Sequence, residues 1–239
     1  MNTHEVQAAL FRLGFDPWGC DGIAGLHTQA ALLAYQKTMN FAETGTTDAT
    51  TVQALQNGLY TLEPFIQAKS YRPANRPHSA PIQLIVIHTM EAPEKPKEAR
   101  NVAQWFAGPS APQASAHYCV DDAETIACVL ECDVAWGAPG ANARGVHLEH
   151  AGYAGQASID WHDLYSRAVL DRSARLAARV ARRWAIPAQR LSVGDLAAGA
   201  SGIIGHVDAS NAFENGRGHV DPGPSFPWDD YIAMVRSYL

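Results

Sequence analysis

Apolar residues in the first sixty positions recur at helical spacing. Val6, Leu10 and Leu13 mark one face of a first helix. Two further apolar faces follow Gly-containing loops and repeat one another: Gly22 is matched by Gly45, Thr28 by Thr51 and Leu32 by Leu55. In each copy the loop is followed by a Thr of the type that caps a helix through its hydroxyl. Residues 1–60 therefore predict a small all-α domain of three helices with a modest core.

The periodicity fades over residues 61–80, where Pro64, Pro73 and Pro77 accumulate, predicting a Pro-rich linker or wrapping segment. Residues 81–239 open with the β-branched run Ile82–Ile87, a buried strand. A helix at 99–106 follows, then strands at 116–120, 125–130 and 145–149. A long helix over 162–184 is stopped by Pro187, and a last helix covers 228–238. The order predicts an α/β domain with a central mixed β-sheet flanked by helices.

With 239 residues, 47% of them apolar, the chain carries ample core material, which excludes a disordered protein. Its net charge of −6 argues against gripping nucleic acid or anionic lipid through bulk charge. No stretch approaches the roughly 20 apolar residues that span a bilayer, and the first residues lack the basic and apolar regions of a signal peptide. A protein made in the cytoplasm without membrane insertion is expected. Cys20, Cys119, Cys128 and Cys132 are scattered, so reduced thiols are expected. Cys119 and Cys128 flank a predicted turn, and whether they pair is left to the structure.

Of ten histidines, three stand at element ends. His88 closes the first strand, His206 follows Gly202-Ile-Ile-Gly205, and His219 lies two residues before Asp221 in a stiff Asp-Pro-Gly-Pro stretch. A catalytic zinc needs three protein ligands and an open position, and His88, His206 and Asp221 are candidates for one ion. His219 is a candidate for oxyanion stabilisation or proton transfer. Taken singly, each His reads as readily as a surface or hydrogen-bonded residue.

Together these blocks resemble the type-2 N-acetylmuramoyl-L-alanine amidases, the zinc family that includes the peptidoglycan recognition proteins. Val86-Ile-His88-Thr89, Ser115-Ala-His117-Tyr118, Gly145-Val-His-Leu-Glu149 and Gly205-His206-Val-Asp208 with Asp221-Pro-Gly-Pro-Ser-Phe226 match in order. The resemblance places the zinc ligands at His88, His206 and Asp221, the last from the carboxylate-ligand branch. It implies a catalytic residue at His219, where the family often has Lys; an imidazole matches that charge only while protonated. For the base it offers His147 or Glu149, with Glu149 favoured as the carboxylate. His117 and Trp136 are implied to border the substrate groove, with burial in the core as the alternative. His150 and His162 read as surface residues. Asp208 reads as an acceptor for a ligand imidazole or as a turn cap.

Leu13-Gly14-Phe15, Asp21-Gly22, Thr28 and Tyr35-Gln36 resemble a peptidoglycan-binding domain. The two resemblances imply a monomeric, endolysin-like hydrolase. It would cleave the bond between N-acetylmuramic acid and L-alanine and reach the cell wall after release from the host cytoplasm. A non-catalytic peptidoglycan-recognition protein and a zinc hydrolase of another stem-peptide bond are the rival readings.

Overall fold

A computed structural model describes residues 1–59 and 61–239. Tyr60, where the expected helical domain ends, lies outside the described residues. Three helices form the N-terminal unit: α1 (Thr3–Arg12), α2 (Leu26–Thr38) and α3 (Ala49–Leu59). Val6, Leu10, Leu32, Tyr35 and Leu55 make its core.

The internal repeat has a polar basis that the apolar pattern does not reveal. Buried Gln7 accepts from the Gly22 amide at 2.7 Å and donates to Thr28 Oγ1 at 2.9 Å. Buried Gln36 accepts from the Gly45 amide at 2.8 Å and donates to Thr51 Oγ1 at 3.1 Å. Each copy is thus a glycine loop tied to a helix start through one amide side chain. The two threonines are not the caps expected of them. Gly25 is the N-cap of α2, and the Asp48 side chain accepts from the Thr51 amide at the start of α3. Both hydroxyls lie inside the first turn, engaged by the glutamines.

Residues 61–80 wrap the second unit. The Ile66 and Ala68 amides donate to the Ala127 and Cys128 carbonyls, and β1 (Tyr71–Arg72) pairs antiparallel with β5 (Val134–Ala135). The second unit contains β2 (Leu84–Thr89), α4 (Glu98–Ala107), β3 (Tyr118–Val120), β4 (Thr125–Ala127) and β6 (Gly145–His150). A 3-10 turn (Asp160–His162) precedes α5 (Leu164–Trp184). The remaining elements are α6 (Val193–Ala197), β7 (Gly202–Gly205), α7 (His206–Phe213) and α8 (Trp228–Ser237). The main sheet has the order β4-β3-β6-β2-β7, with β3 and β4 antiparallel and the other neighbours parallel, a mixed sheet as expected.

Alternation along the strands decides which side chains meet. Ile85, Ile87, Val146, Leu148 and Ile203 face α5 and α8, in one core with Val169, Trp161 and Tyr231. Leu84, Val86 and Ile204 face the other way, onto Leu191, Leu196 and Ala209. His88, two residues beyond Val86, falls on that second face, as do His147 and Glu149 opposite it. His88 and Glu149 stand near the carboxyl ends of parallel strands, where open α/β sheets bind ligands.

His150 corrects the surface expectation. It falls on the α5 face, is fully buried, and meets Ser173 Oγ at 2.6 Å and the His88 carbonyl at 2.9 Å. His162 is half-exposed, 3.6 Å from Asp230. Asp208 takes the cap role, accepting from the Gly205 amide at 2.6 Å and pairing with Arg190. All four cysteines are free thiols. Among the described residues, no helix is long and apolar enough to cross a membrane.

Candidate metal centre and groove

β2 delivers His88, the first residue of α7 is His206, and the loop before α8 carries Asp221. All three are buried, and ligand atoms of the three lie within 4.8 Å of one another. Each Asp221 oxygen faces one imidazole: Oδ2 is 3.1 Å from His88 Nδ1, and Oδ1 is 3.2 Å from His206 Nδ1. Burial works to raise the Asp221 carboxyl, but hydrogen bonds to His206 and His88 prevail and hold it well below the ordinary carboxylate range. Burial lowers His88 despite that carboxylate, favouring a neutral imidazole with a lone pair to offer. His206 Nε2 is buried without a partner. Two imidazoles and one carboxylate suit zinc.

Behind His88, its Nε2 is 3.0 Å from His147 Nδ1. In the tautomer that frees His88 Nδ1 for a metal, Nε2–H donates to His147, the outer partner that aims a ligand ring. His147 is completely buried, and burial followed by its neighbours His88 and His117 pushes its pKa well down. A Cβ on Gly137 would stand 2.6 Å from His147 Nδ1, so only glycine lets the chain close over this ring.

His117 corrects the groove expectation, because it is fully buried and does not reach the groove. Its ring stacks on His147 at 5.6 Å, and its Nδ1 accepts from the His147 amide at 3.0 Å. Beside it lies Arg76, a residue the sequence reading passed over, 2.9 Å from His117 Nε2. The wholly buried Arg76 guanidinium donates to the carbonyls of Gly145 at 2.9 Å and Glu131 at 2.8 Å, and to that of Asp133. Burial pulls it down to about 10, so it remains a cation at neutral pH.

Glu149 lines the opening with His88, His206, Trp105, Trp136 and Asp221. Its Oε2 has no partner, and burial, then repulsion from Asp221, raises the carboxyl well above its ordinary value. His219 is exposed, stacks on His206 at 4.3 Å and lies 3.8 Å from Asp221. The groove extends past Trp136 to Glu91, Glu214 and Arg217, of which only Trp136 was anticipated. Glu91 accepts from Thr89 Oγ1 at 2.7 Å and from the Ala154 amide at 2.8 Å, fixing one rim.

The family model for N-acetylmuramoyl-L-alanine amidase matches residues 78–224, more than half of the chain. The chain belongs to this amidase family. A second model, for a peptidoglycan binding domain, matches residues 2–55. No curated protein sequence matches the chain. Among solved structures, the Staphylococcus aureus hydrolase AmiA in complex with its ligand is 15% identical with a TM-score of 0.55, over 81% of this chain and 92% of that one. That likeness shows a shared fold. A selenomethionine AmpD derivative is 21% identical with a TM-score of 0.49, over 72% of this chain and 94% of that one. The amidase LysC from Clostridium intestinale is 14% identical with a TM-score of 0.42, over 65% and 85%.

Proposed function

We propose that the protein is a zinc-dependent, endolysin-like peptidoglycan amidase that hydrolyses the amide between the lactyl group of N-acetylmuramic acid and L-alanine. The observation that carries this reading is the convergence of His88, His206 and Asp221 beside Glu149 at the groove, inside the segment the amidase model matches. His88, His206 and Asp221 would hold the zinc ion, which would supply Lewis-acid polarisation of the scissile carbonyl and lower the pKa of a water towards neutral.

The remaining roles fall to the chain itself. Glu149, which lines the groove and has an unpartnered buried oxygen, takes a proton from the attacking water and returns it to the leaving amine. His219 donates to the carbonyl oxygen as negative charge develops there. His147 holds His88 in its ligand orientation and is a positioning residue rather than the base. Trp136 and Trp105 provide apolar walls for the sugar faces. The helical unit holds the polymer while the second unit cuts, and the protein works as a monomer.

Digestion of purified peptidoglycan, with new ends identified by mass spectrometry, tests the reaction. Free N-terminal L-alanine is expected, abolished by a chelator and restored by zinc. Cleavage at another stem-peptide bond, or cleavage indifferent to chelation, overturns the proposal. On a soluble muropeptide, Glu149→Gln is expected to lose at least about a hundredfold in rate. A near-normal rate there with a collapsed His147→Gln would move the base to His147.

A further inference from the structure

The four thiols form two facing pairs. Cys119 and Cys128 lie 3.8 Å apart between their sulfurs, both sealed in the core under α4. Cys20 and Cys132 show the same 3.8 Å separation across 112 positions of sequence, in a different setting. Cys20 sits in the α1–α2 loop of the helical unit, and Cys132 precedes β5 in the catalytic unit. They meet where Phe11 packs on Leu130. Cys132 is fully covered and Cys20 partly open to solvent.

We propose that Cys20 and Cys132 are a site of oxidative cross-linking, in which a low-molecular-weight disulfide joins the two units covalently. The Cys20 thiolate attacks one sulfur of the small disulfide, forming a mixed disulfide and releasing one thiol. The Cys132 thiolate then attacks the Cys20 sulfur, releasing the second thiol. The two protein thiols lose two protons and two electrons, and the small disulfide is reduced to two thiols. Exposure sets the order, because the oxidant reaches Cys20 first. The hydrogen bond that it donates to Cys20, then burial, pushes the Cys132 thiol up. Closing the gap to the roughly 2.05 Å of a disulfide asks for a small shift of an irregular loop. Cys119 and Cys128 are equally near but closed to the oxidant, so they serve as an internal control.

The test incubates the full-length protein with glutathione disulfide or with dithiothreitol, then maps its peptides under non-reducing conditions by mass spectrometry. The expected result is one cross-linked peptide pair containing Cys20 and Cys132, with two of the four thiols lost. Unfolding should shift up by roughly 5 °C, since a long loop is closed. The shift should vanish with dithiothreitol and in Cys20→Ser, and persist in Cys119→Ser. Four intact thiols, a Cys119 to Cys128 bridge, or a glutathione adduct that stays on Cys20 would each overturn the proposal. The wild-type peptide map decides the matter even if a variant folds poorly.

Discussion

Both units bury polar side chains, and they differ in what those at the groove are left without. In the helical unit, Gln7 and Gln36 are neutral amides that both accept and donate. In the catalytic unit, His147 Nε2, Glu149 Oε2 and His206 Nε2 are buried without a partner. An unmade buried hydrogen bond costs about 1–3 kcal/mol; the first pattern specifies a fold, and in the second Glu149 and His206 share one opening, where a ligand belongs. A missing partner alone does not distinguish structure from chemistry, since Trp161 Nε1 and Arg172 Nε are also unpartnered; unpartnered atoms on residues gathered at one opening do.

Breaking the unsatisfied cluster should give the largest effect. His206→Ala is expected to lower amidase activity by about a thousandfold or more through loss of the metal, with zinc affinity read by competition titration. Sedimentation with sacculi should persist through the helical unit, and loss of sedimentation would show that the two halves are not functionally separate.

A pH titration of stability probes a buried imidazole of the catalytic unit whose partners are in place. Burial depresses His150 to about 4, against about 6.5 in the unfolded chain. Its neutral form is the one the fold accepts. The contribution is therefore complete above about pH 6.5 and is lost as pH falls towards 4, on the order of 3 kcal/mol. Denaturant midpoints across that window measure it, and His150→Gln should flatten the curve. His147→Ala should weaken zinc binding about 10–100-fold, as removal of an outer partner does; unchanged affinity would reduce His147 to packing.

The smallest effect is expected on the other side of the comparison. Gln36→Leu strands the Gly45 amide, costing about 1–2 kcal/mol. Hydrogen exchange should speed up in α2 and α3 while β2 and β6 stay protected, with hydrolysis of soluble muropeptides unchanged.

Much of this was legible in the chain because periodicity reports burial directly. The run ending at His88, the long α5 and the Gly-Thr repeat all announce themselves. The meeting of His88, His206 and Asp221 was legible because residues at strand and helix ends leave motifs. Gln7 and Arg76 left no such trace, since each acts through contacts with residues distant in sequence. His150 was misplaced because one position along β6 separates the groove face from the α5 face, and only the register of β2 against β6 decides between them. His117 was misassigned for a related reason: a motif places a residue near a site without saying whether it faces the cavity or supports it.

Arg76 also changes how the molecule can be taken apart. A fragment begun at residue 78, where the amidase match starts, would lack the guanidinium and leave the carbonyls of Gly145, Glu131 and Asp133 to find water inside a closed core. In exchanging binding modules between such enzymes, the physical seam lies ahead of Pro64, where the wrapping segment first pairs with Ala127. Recombination there transplants the cutting unit with its own girdle still fastened.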